Sequence, residues 1–266
     1  MRRFRSIFIS DVHLGTAACQ ASYLLDFLQS TDCDTLYLVG DIIDLMAMRK
    51  RIHFPELHEE IIRTIKAKAQ TGTRVVYIPG NHDEFFRTFC GSTLSGIEIK
   101  RNHVHVGADG RRFFVSHGDE FDQVVRCSPL MLFVGDQAHE ILLDLNRWLN
   151  GARRALNKPY WSLSGFLKQR VSKAAQFIRR FENAALKAAD TMHYDGYICG
   201  HIHFAGFQRQ EGILYCNDGD WVEHCTALVE DAHGQMALWH WSETPHLLMS
   251  EPEAATAGEW GLATSS

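Results

Sequence analysis

The chain has 266 residues, of which 45% are hydrophobic and 22% are charged, and its formal net charge is −5. This length and composition suit one large folded core, or a core domain with an insertion, and exclude a disordered chain. The acidic balance argues against a general affinity for nucleic acid.

The cysteines and the N-terminus indicate the compartment. The seven cysteines are odd in number and scattered, without a Cys-x-x-Cys pair, so neither a disulfide framework nor a thiolate zinc site is expected. Arg2, Arg3 and Arg5 precede an apolar run that is too short for a signal peptide or a membrane span. We therefore expect a protein of the reducing cytosol.

Strands and helices alternate through the first part of the chain. A strand near 4–10 is followed by a helix from about Ala18 to Ser30, and a second strand at 35–39 by a helix that Pro55 opens. A third strand at 74–78 comes next. Because parallel strands are joined by crossover helices, this alternation predicts an α/β protein with a parallel sheet.

Later segments change the pattern. Short strands around Ala108-Asp109-Gly110 predict a hairpin, whereas residues 120–190 carry apolar positions at helical spacing and predict a helical insertion across the end of the sheet. Strands then follow near 196–200, 213–217, 225–230 and 235–241. They suggest a second sheet. We expect one domain over 1–245 and a flexible C-terminal tail over 246–266.

Charge is spread unevenly along the chain. Between Arg126 and Lys187 there are 11 Lys or Arg residues and 4 Asp or Glu, a local net charge of +7 that leaves −12 for the rest. The insertion is therefore either an ordinary solvated helix surface or a basic, partly apolar cap over a site. The second interpretation suits an anionic amphipathic substrate.

Five of the predicted strands end in Asp, Asn or His. The side chains of metal-ligand type at these ends are Asp11, His13, Asp41, Asn81, His117, His201 and His203. In an open α/β sheet, the ligand site lies outside the carboxyl ends of the strands. Asp11 with His13, and His201 with His203, are two apart and would share a face of a regular strand. Seven oxygen and nitrogen donors with a shared carboxylate suit a pair of divalent cations.

The same residues carry a resemblance to a known family. The motifs are Asp11-x-His13, Gly40-Asp41-x-x-Asp44, Gly80-Asn81-His82-Asp83, His117-Gly118 and Gly200-His201-x-His203. In kind and order they resemble the signature of the calcineurin-like metallophosphoesterases, over nearly the whole chain apart from the insertion and the tail. The resemblance implies a four-layer α-β-β-α sandwich with a helical cap insertion. It also implies one cation on Asp11, His13, Asp41 and His203, and a second on Asp41, Asn81, His117 and His201, with Asp41 bridging.

The resemblance further implies the chemistry. Two divalent metal ions, manganese first and iron or zinc as alternatives, would clamp a phosphoryl group and supply a hydroxide for in-line attack on phosphorus. His82 would stabilise the transition state or protonate the leaving group. We expect Asp44 to fix the His82 ring, with Asp83 as the alternative partner and a helix cap as the other interpretation of Asp44.

Within the family, the chain is most similar to the UDP-2,3-diacylglucosamine pyrophosphohydrolases of lipid A synthesis and their paralogues. The similarity rests on residues 10–15, 38–44 and 116–119 and on the helical insertion before Gly-His-x-His. It implies hydrolysis of UDP-2,3-diacylglucosamine to UMP and a lipid monophosphate, with the cap holding the acyl chains. At one position the chain departs, because those enzymes carry Arg where this chain has His82.

Further residues are candidates for substrate contacts. They are Asp122, Arg126, Arg153, Arg154, Lys158, Tyr160, Trp161 and Lys168. Each has an alternative place on the surface or in the core of the cap. The positive charge of the cap beside its aromatic residues also predicts peripheral contact of a cytoplasmic protein with the inner membrane.

Three functions remain open from the sequence. The first is hydrolysis of a phosphodiester or phosphoanhydride in a phosphorylated, possibly lipid-like small molecule. The second is a nucleotide or phosphomonoester phosphatase of the same fold. The third is a catalytically silent binding scaffold, which the intact ligand positions disfavour. No nucleic acid partner is expected.

Overall fold

The computed structural model describes residues 1–125, 150, 153 and 172–253. The strands in these residues are β1 Arg2–Ile9, β2 Thr31–Leu38, β3 Arg74–Tyr77, β4 Thr93–Leu94, β5 Ile97–Ile99, β6 His103–Val106, β7 Arg112–Val115, β8 Gly196–Cys199, β9 Gly206–Gln210, β10 Ile213–Asn217, β11 Thr226–Glu230, β12 Met236–His240 and β13 His246–Ser250. The α-helices are α1 Ala21–Ser30, α2 Leu45–Lys50, α3 Glu56–Gln70, α4 Asp122–Val125 and α5 Ser172–Thr191. Short 3-10 helices cover Glu84–Phe89 and Asp119–Phe121.

The strands form two sheets. The larger has the order β13-β12-β11-β1-β2-β3-β5-β4, and the smaller has the order β6-β7-β8-β10-β9. β1, β2 and β3 are parallel neighbours, as the alternation of strands and helices predicts. In the smaller sheet, β7, β8 and β10 are parallel neighbours as well. The carboxyl ends of these strands carry the loops that build the site described below.

Three buried clusters fill the spaces between the layers. Phe27 of α1 and Ile61 of α3 belong to the cluster on the outer face of the larger sheet. Phe8 and Phe113 belong to the cluster between the two sheets. Phe181 of α5 belongs to the cluster on the outer face of the smaller sheet. The layers therefore follow the order helix, sheet, sheet, helix, which confirms the predicted four-layer α-β-β-α sandwich.

The C-terminal part of the predicted insertion is a layer of the core. Phe181, Ala185 and Ala189 of α5 are fully buried, in one cluster with Tyr197 and Tyr215 of the smaller sheet. The expectation that all of 120–190 lies across the sheet end is therefore wrong for α5. Helical spacing predicts the apolar stripe of a helix, but it does not say which surface that stripe meets. Residues 126–149, 151–152 and 154–171 of the insertion lie outside the described residues.

The strands after the insertion divide between the two sheets. β8, β9 and β10 join the smaller sheet, whereas β11 and β12 extend the larger one, with β11 antiparallel to β1. The prediction of one separate second sheet is therefore wrong for β11 and β12. Strand patterns identify buried segments, but a residue period of two carries no information about which strand is the neighbour.

The predicted start of the C-terminal tail, at residue 246, falls at the beginning of the last described strand. His246–Ser250 forms β13, which pairs antiparallel with β12, so the expectation of a flexible tail is wrong for these residues. All five are exposed, so this edge strand lacks the alternation of burial that would reveal it in the sequence. Glu251 follows and accepts hydrogen bonds from Arg111 at 3.1 Å. Residues 254–266 lie outside the described residues.

Candidate metal centre

Five loops meet at one edge of the two sheets. Each follows a strand of the core: β1 ends at Ile9, β2 at Leu38, β3 at Tyr77, β7 at Val115 and β8 at Cys199. The seven residues predicted as metal ligands all lie in these loops, two to four residues beyond the strand ends. The structure thus brings together side chains that are far apart in the sequence.

Most of these side chains leave the chain from strained backbone. Asp11, His13 and Asp41 have φ angles of 50°, 53° and 54°, and His201 and His203 have 68° and 51°. The prediction that each spaced pair shares a face of a regular strand is therefore wrong, because the strands end first. A left-handed conformation at a residue with a side chain costs about 1–3 kcal/mol and is typically found at functional sites.

Backbone hydrogen bonds hold the strained loops in register. The amide of Asp11 donates to the Gly40 carbonyl at 3.0 Å, and the amide of His13 donates to the Asp41 carbonyl at 2.9 Å. Gly40 has a φ of +88°, and a Cβ there would lie 2.2 Å from Nδ1 of His117. The Gly before Asp41 is thus required by its backbone angle and by the imidazole that packs on it.

Asp11, His13 and His203 form the first group of donors. Oδ1 of Asp11 lies 3.0 Å from Nε2 of His203 and 4.0 Å from Nε2 of His13. Oδ1 of Asp11 and Nε2 of His13 are buried without a hydrogen-bond partner among the described residues. Buried polar atoms are normally paired, and a divalent cation would satisfy both of these atoms. The residues therefore fit a metal ion.

Asp41, Asn81, His117 and His201 form the second group. Nε2 of His117 lies 3.3 Å from Oδ2 of Asp41 and 3.2 Å from Oδ1 of Asn81. Nδ1 of His117 lies 2.9 Å from the Val39 carbonyl, which can only accept, so Nδ1 carries the proton and Nε2 has a lone pair in the neutral ring. Oδ2 of Asp41 is also 4.0 Å from Nε2 of His13. One Asp41 oxygen therefore lies between the two donor groups.

The carboxylates favour positive charge throughout the site. Burial alone would lower the pKa of His13, but its hydrogen bond to Asp44 and the charges of Asp41 and Asp11 outweigh burial and raise that pKa to about 9. Burial is likewise outweighed for His117, whose pKa the Asp41 carboxylate raises well above the usual value. Protons and divalent cations compete for the same imidazole nitrogens, so an environment that attracts protons also favours a metal ion.

His82 lies at the same centre. Its ring nitrogen, a carboxylate oxygen of Asp41 and a ring nitrogen of His13 lie within 4.8 Å of one another. Nδ1 of His82 is 3.1 Å from Oδ2 of Asp44, the partner expected from the sequence. About a third of the His82 side chain is exposed, so the ring borders the open side of the site.

Asp83, the alternative partner of His82, ties two loops together instead. Its buried carboxylate accepts hydrogen bonds from the amide of Gly80 at 2.6 Å and from the amide of Ile42 at 2.8 Å. The hydroxyl of Tyr77 also donates to it at 2.5 Å. These contacts fix the loop that carries Asn81 and His82 against the loop that carries Asp41.

The predicted substrate contacts are mostly beyond what the structure describes. Asp122 is about half exposed, and its Oδ1 lies 2.7 Å from Nε2 of His201. It therefore contacts one of the candidate metal ligands directly. Arg153 is half-buried. The others lie outside the described residues and stay predictions: Arg126, Arg154, Lys158, Tyr160, Trp161 and Lys168.

Two residues beside the ligands, Ser10 and Asp218, are not predicted as part of the site by the sequence. Ser10 lies directly before Asp11, and Asp218 follows β10, and the two form a hydrogen-bonded pair beside Asp11. The run Asn217-Asp218-Gly219-Asp220 at the end of β10 could have predicted Asp218, because Asp, Asn or His residues follow the other five strands in the same way.

The chain matches a known family and is similar to named proteins. A family model described as calcineurin-like phosphoesterase matches residues 4–205. A UDP-2,3-diacylglucosamine hydrolase of Xanthomonas campestris pv. campestris is 26% identical over 264 residues, which covers 88% of this chain and 99% of that protein. One from Neisseria gonorrhoeae is 24% identical over 237 residues, which covers 81% and 89%. One from Blochmanniella pennsylvanica is 31% identical over 123 residues, which covers 42% and 46%.

Solved structures also align with most of the chain, at low sequence identity. An archaeal phosphodiesterase aligns with 91% of this chain and 99% of its own, at 14% sequence identity and a TM-score of 0.41. Vacuolar protein sorting 29 of Cryptosporidium parvum aligns with 91% of this chain and 94% of its own, at 10% identity and a TM-score of 0.43.

Proposed function

The chain belongs to the calcineurin-like phosphoesterase family and is a phosphoester hydrolase, and from this premise we propose that it acts through two divalent cations on a phosphodiester or phosphoanhydride. The observation that supports a pair of cations is the position of Asp41, whose Oδ2 lies between His13 and His117 at 4.0 Å and 3.3 Å. A carboxylate so placed can be shared by two ions.

The proposed ligands follow from the two donor groups. Asp11, His13, Asp41 and His203 would hold one ion, and Asp41, Asn81, His117 and His201 would hold the other. When bound, two such ions neutralise phosphoryl oxygens and activate water near neutral pH. Because Asp122 occupies Nε2 of His201, Nδ1 is the nitrogen that His201 would offer to an ion. Manganese is our first choice of metal, with iron and zinc as alternatives that the donor set also suits.

His82 and Asp44 are the proposed acid and its partner. Asp44 accepts the Nδ1 proton of His82, which directs Nε2 towards the open side of the site and stabilises the ring when it is protonated. Protonated at Nε2, His82 donates to the oxygen of the leaving group as the bond to phosphorus breaks. The Asp44 carboxylate stays ionised, because the hydrogen bonds from His13 and His82 outweigh the effect of burial and lower its pKa.

For the substrate we propose UDP-2,3-diacylglucosamine, cleaved at its pyrophosphate to UMP and the lipid monophosphate. The relatives that bear this name align over most of their own length in two of the three cases above. A nucleotide or phosphomonoester phosphatase is the second candidate, and the observation that favours it is His82, where the lipid A enzymes carry Arg.

Contact with a membrane is part of this proposal. Its support is the local charge of +7 between Arg126 and Lys187, which suits an anionic lipid surface. Within the described residues, no helix is long and apolar enough to span a bilayer. We propose a cytoplasmic enzyme that binds peripherally. Sedimentation with vesicles of anionic lipid should deplete the protein from solution at low salt, and unchanged sedimentation would refute membrane contact.

Mass-spectrometric product analysis tests the proposed reaction. Manganese-loaded protein is incubated with UDP-2,3-diacylglucosamine, with His82→Ala and Asp41→Ala variants in parallel. Release of UMP and the lipid monophosphate by the wild type, lost in both variants, is the expected result. Turnover of a generic phosphomonoester with none on the lipid would support the second candidate. Two bound manganese ions per chain with no turnover on any ester would instead indicate a silent scaffold.

A further inference from the structure

The Asp11 carboxylate uses its two oxygens differently. Oδ2 accepts a hydrogen bond from the Ser10 hydroxyl at 2.5 Å and another from the amide of His201 at 2.8 Å. Oδ1 has no contact with Ser10 or with a backbone amide and instead lies 3.0 Å from Nε2 of His203, another proposed ligand. Oδ2 is thus occupied, and Oδ1 is the oxygen left for a cation.

The Ser10 hydroxyl has more acceptors around it than it has protons. Its Oγ lies 2.5 Å from Oδ2 of Asp11, 2.6 Å from Oδ1 of Asp218 and 3.3 Å from the Gly219 carbonyl. A hydroxyl donates one proton, so it cannot donate to both carboxylates. Two carboxylate oxygens this close to one hydroxyl therefore require a second proton, carried by one of the two aspartates.

Gly200 lies against the contact between Ser10 and Asp11. A Cβ on Gly200 would lie 2.0 Å from Oγ of Ser10 and 2.4 Å from Oδ2 of Asp11. The backbone of Gly200 therefore packs directly on the Ser10–Asp11 contact. Asp218 is itself fully buried, so bulk solvent does not reach its carboxyl group.

Asp218 is the aspartate that the surroundings favour as the proton carrier. Oδ1 of Asp11 faces the imidazole of His203, which stabilises negative charge on Asp11. Oδ2 of Asp218 has no hydrogen-bond partner among the described residues. Burial, to which the nearby charge of Asp11 adds, raises the pKa of Asp218 well above its usual range. A buried carboxylic acid without a cationic partner is more stable when neutral.

We propose that Asp218 is a neutral carboxylic acid that donates its proton to Oγ of Ser10, so that Ser10 donates in turn to Oδ2 of Asp11. Asp218 is then a positioning residue, because it acts on the metal site through Ser10 and Asp11. It fixes the direction of the Ser10 hydroxyl towards Oδ2 of Asp11, which leaves Oδ1, on the side of His203, as the oxygen that would bind a cation. The proposal rests on Asp11 being a metal ligand, as proposed above.

Three variants test this arrangement. Asp218→Asn keeps a neutral side chain that can donate to Ser10, whereas Asp218→Ala removes the donor. The control is Asp34→Asn, which changes an aspartate whose side chain is 59% exposed.

Manganese affinity is measured by calorimetry on the full chain. Because supporting partners of ligands typically contribute about 10- to 100-fold to metal affinity, Asp218→Ala should weaken binding by at least about 10-fold. Asp218→Asn should stay within about threefold of the wild type, since it preserves the donor.

Infrared spectroscopy at pH 7 supplies a readout that does not require metal. The difference between the wild type and Asp218→Asn should contain the carbonyl band of a protonated carboxyl group, and the difference for Asp34→Asn should not. Absence of that band would overturn the proposal, as would an Asp218→Asn variant that binds manganese as weakly as Asp218→Ala. If Asp218→Ala does not fold, the Asn variant and its spectrum decide. A wild type that binds no manganese would refute the metal site. The carbonyl band in the infrared difference would then still show whether Asp218 is protonated.

Discussion

Oδ2 of Asp44 lies 3.1 Å from Nδ1 of His82. The same oxygen lies 3.0 Å from Nδ1 of His13, and Oδ1 accepts the amide of Ala47 at 2.7 Å at the start of α2. Both interpretations of Asp44 that the sequence leaves open, the ring partner and the helix cap, are therefore present together. One carboxylate connects a proposed metal ligand to the proposed acid.

Replacing His82 with Ala should separate the chemistry from metal binding. Because the proposed acid lies beside the ligands without being one of them, kcat should fall by about 100- to 10,000-fold while manganese content is kept. Steady-state kinetics and metal analysis measure the two quantities. His82→Gln is the control for the loss of volume and should be as inactive as His82→Ala. Activity close to that of the wild type in either variant would refute the role of His82.

Asp44→Asn should differ from His82→Ala because Asp44 contacts both rings. An amide is neutral, and only its oxygen accepts, so it supports the two Nδ1–H groups less well than a carboxylate does. We expect manganese affinity to fall about 10-fold or more through His13, together with a loss of kcat through His82. Calorimetry and kinetics on the same preparation measure both. An effect on kcat with unchanged affinity would mean that the contact with His13 does not orient it for metal binding.

The sequence predicts the general architecture because its signals are local. Alternating strands and helices specify parallel pairing of β1, β2 and β3, and the positions of the donor residues follow from where those strands end. Pairing partners are not local. β11 joins β1 across more than two hundred residues of chain, and β13 is an exposed edge strand without a burial pattern. Neither could be predicted from periodicity.

Within the site, residue types are predictable and backbone geometry is not. The donor residues occur at strand ends that the sequence reveals, but nothing in Asp11-x-His13 shows that both residues adopt a left-handed conformation. Tertiary hydrogen bonds, such as that from the His13 amide to the Asp41 carbonyl at 2.9 Å, impose it. The part played by Asp218 depends in the same way on a contact with Ser10, a residue far from it in sequence.

Metal binding should stabilise the fold. Oδ1 of Asp11 and Nε2 of His13 are buried without hydrogen-bond partners in the described part of the chain, and a cation that binds the native state alone adds about 2.7 kcal/mol at a hundred times its Kd. For a chain of this size we expect Tm to rise by several degrees in calorimetric scans with manganese. Chelation should reverse the shift, and Asp41→Ala should abolish most of it. An Asp41→Ala variant with the full shift would mean that the cation binds elsewhere.

Asp83 should matter for stability more than its partner Tyr77. Asp83→Ala leaves the buried amides of Gly80 and Ile42 without their acceptor, which should lower the free energy of unfolding by about 3–5 kcal/mol. Tyr77→Phe removes one hydroxyl donor and should cost about 1–2 kcal/mol. Urea unfolding of the metal-free proteins measures both changes. Similar costs for the two variants would show that the amides find other acceptors and that Asp83 does not hold the two loops together.

His58 should make stability depend on pH through the loop that follows His13. Nδ1 of His58 accepts the amide of Gly15 at 3.1 Å, which requires an unprotonated nitrogen, and burial, followed by the charge of His53, lowers its pKa to about 4. The unfolded chain, with a histidine pKa of about 6.5, binds more protons than the native state between these values. The stability that neutral His58 contributes is therefore complete above about pH 6.5 and is lost as pH falls towards 4.

The variant His58→Leu tests this dependence, because it removes both the hydrogen-bond acceptor and the group that titrates. In urea unfolding, the difference in free energy between the wild type and His58→Leu should be largest at pH 7 and smaller at pH 5. An equal difference at the two pH values would show that His58 is not held neutral by the amide of Gly15.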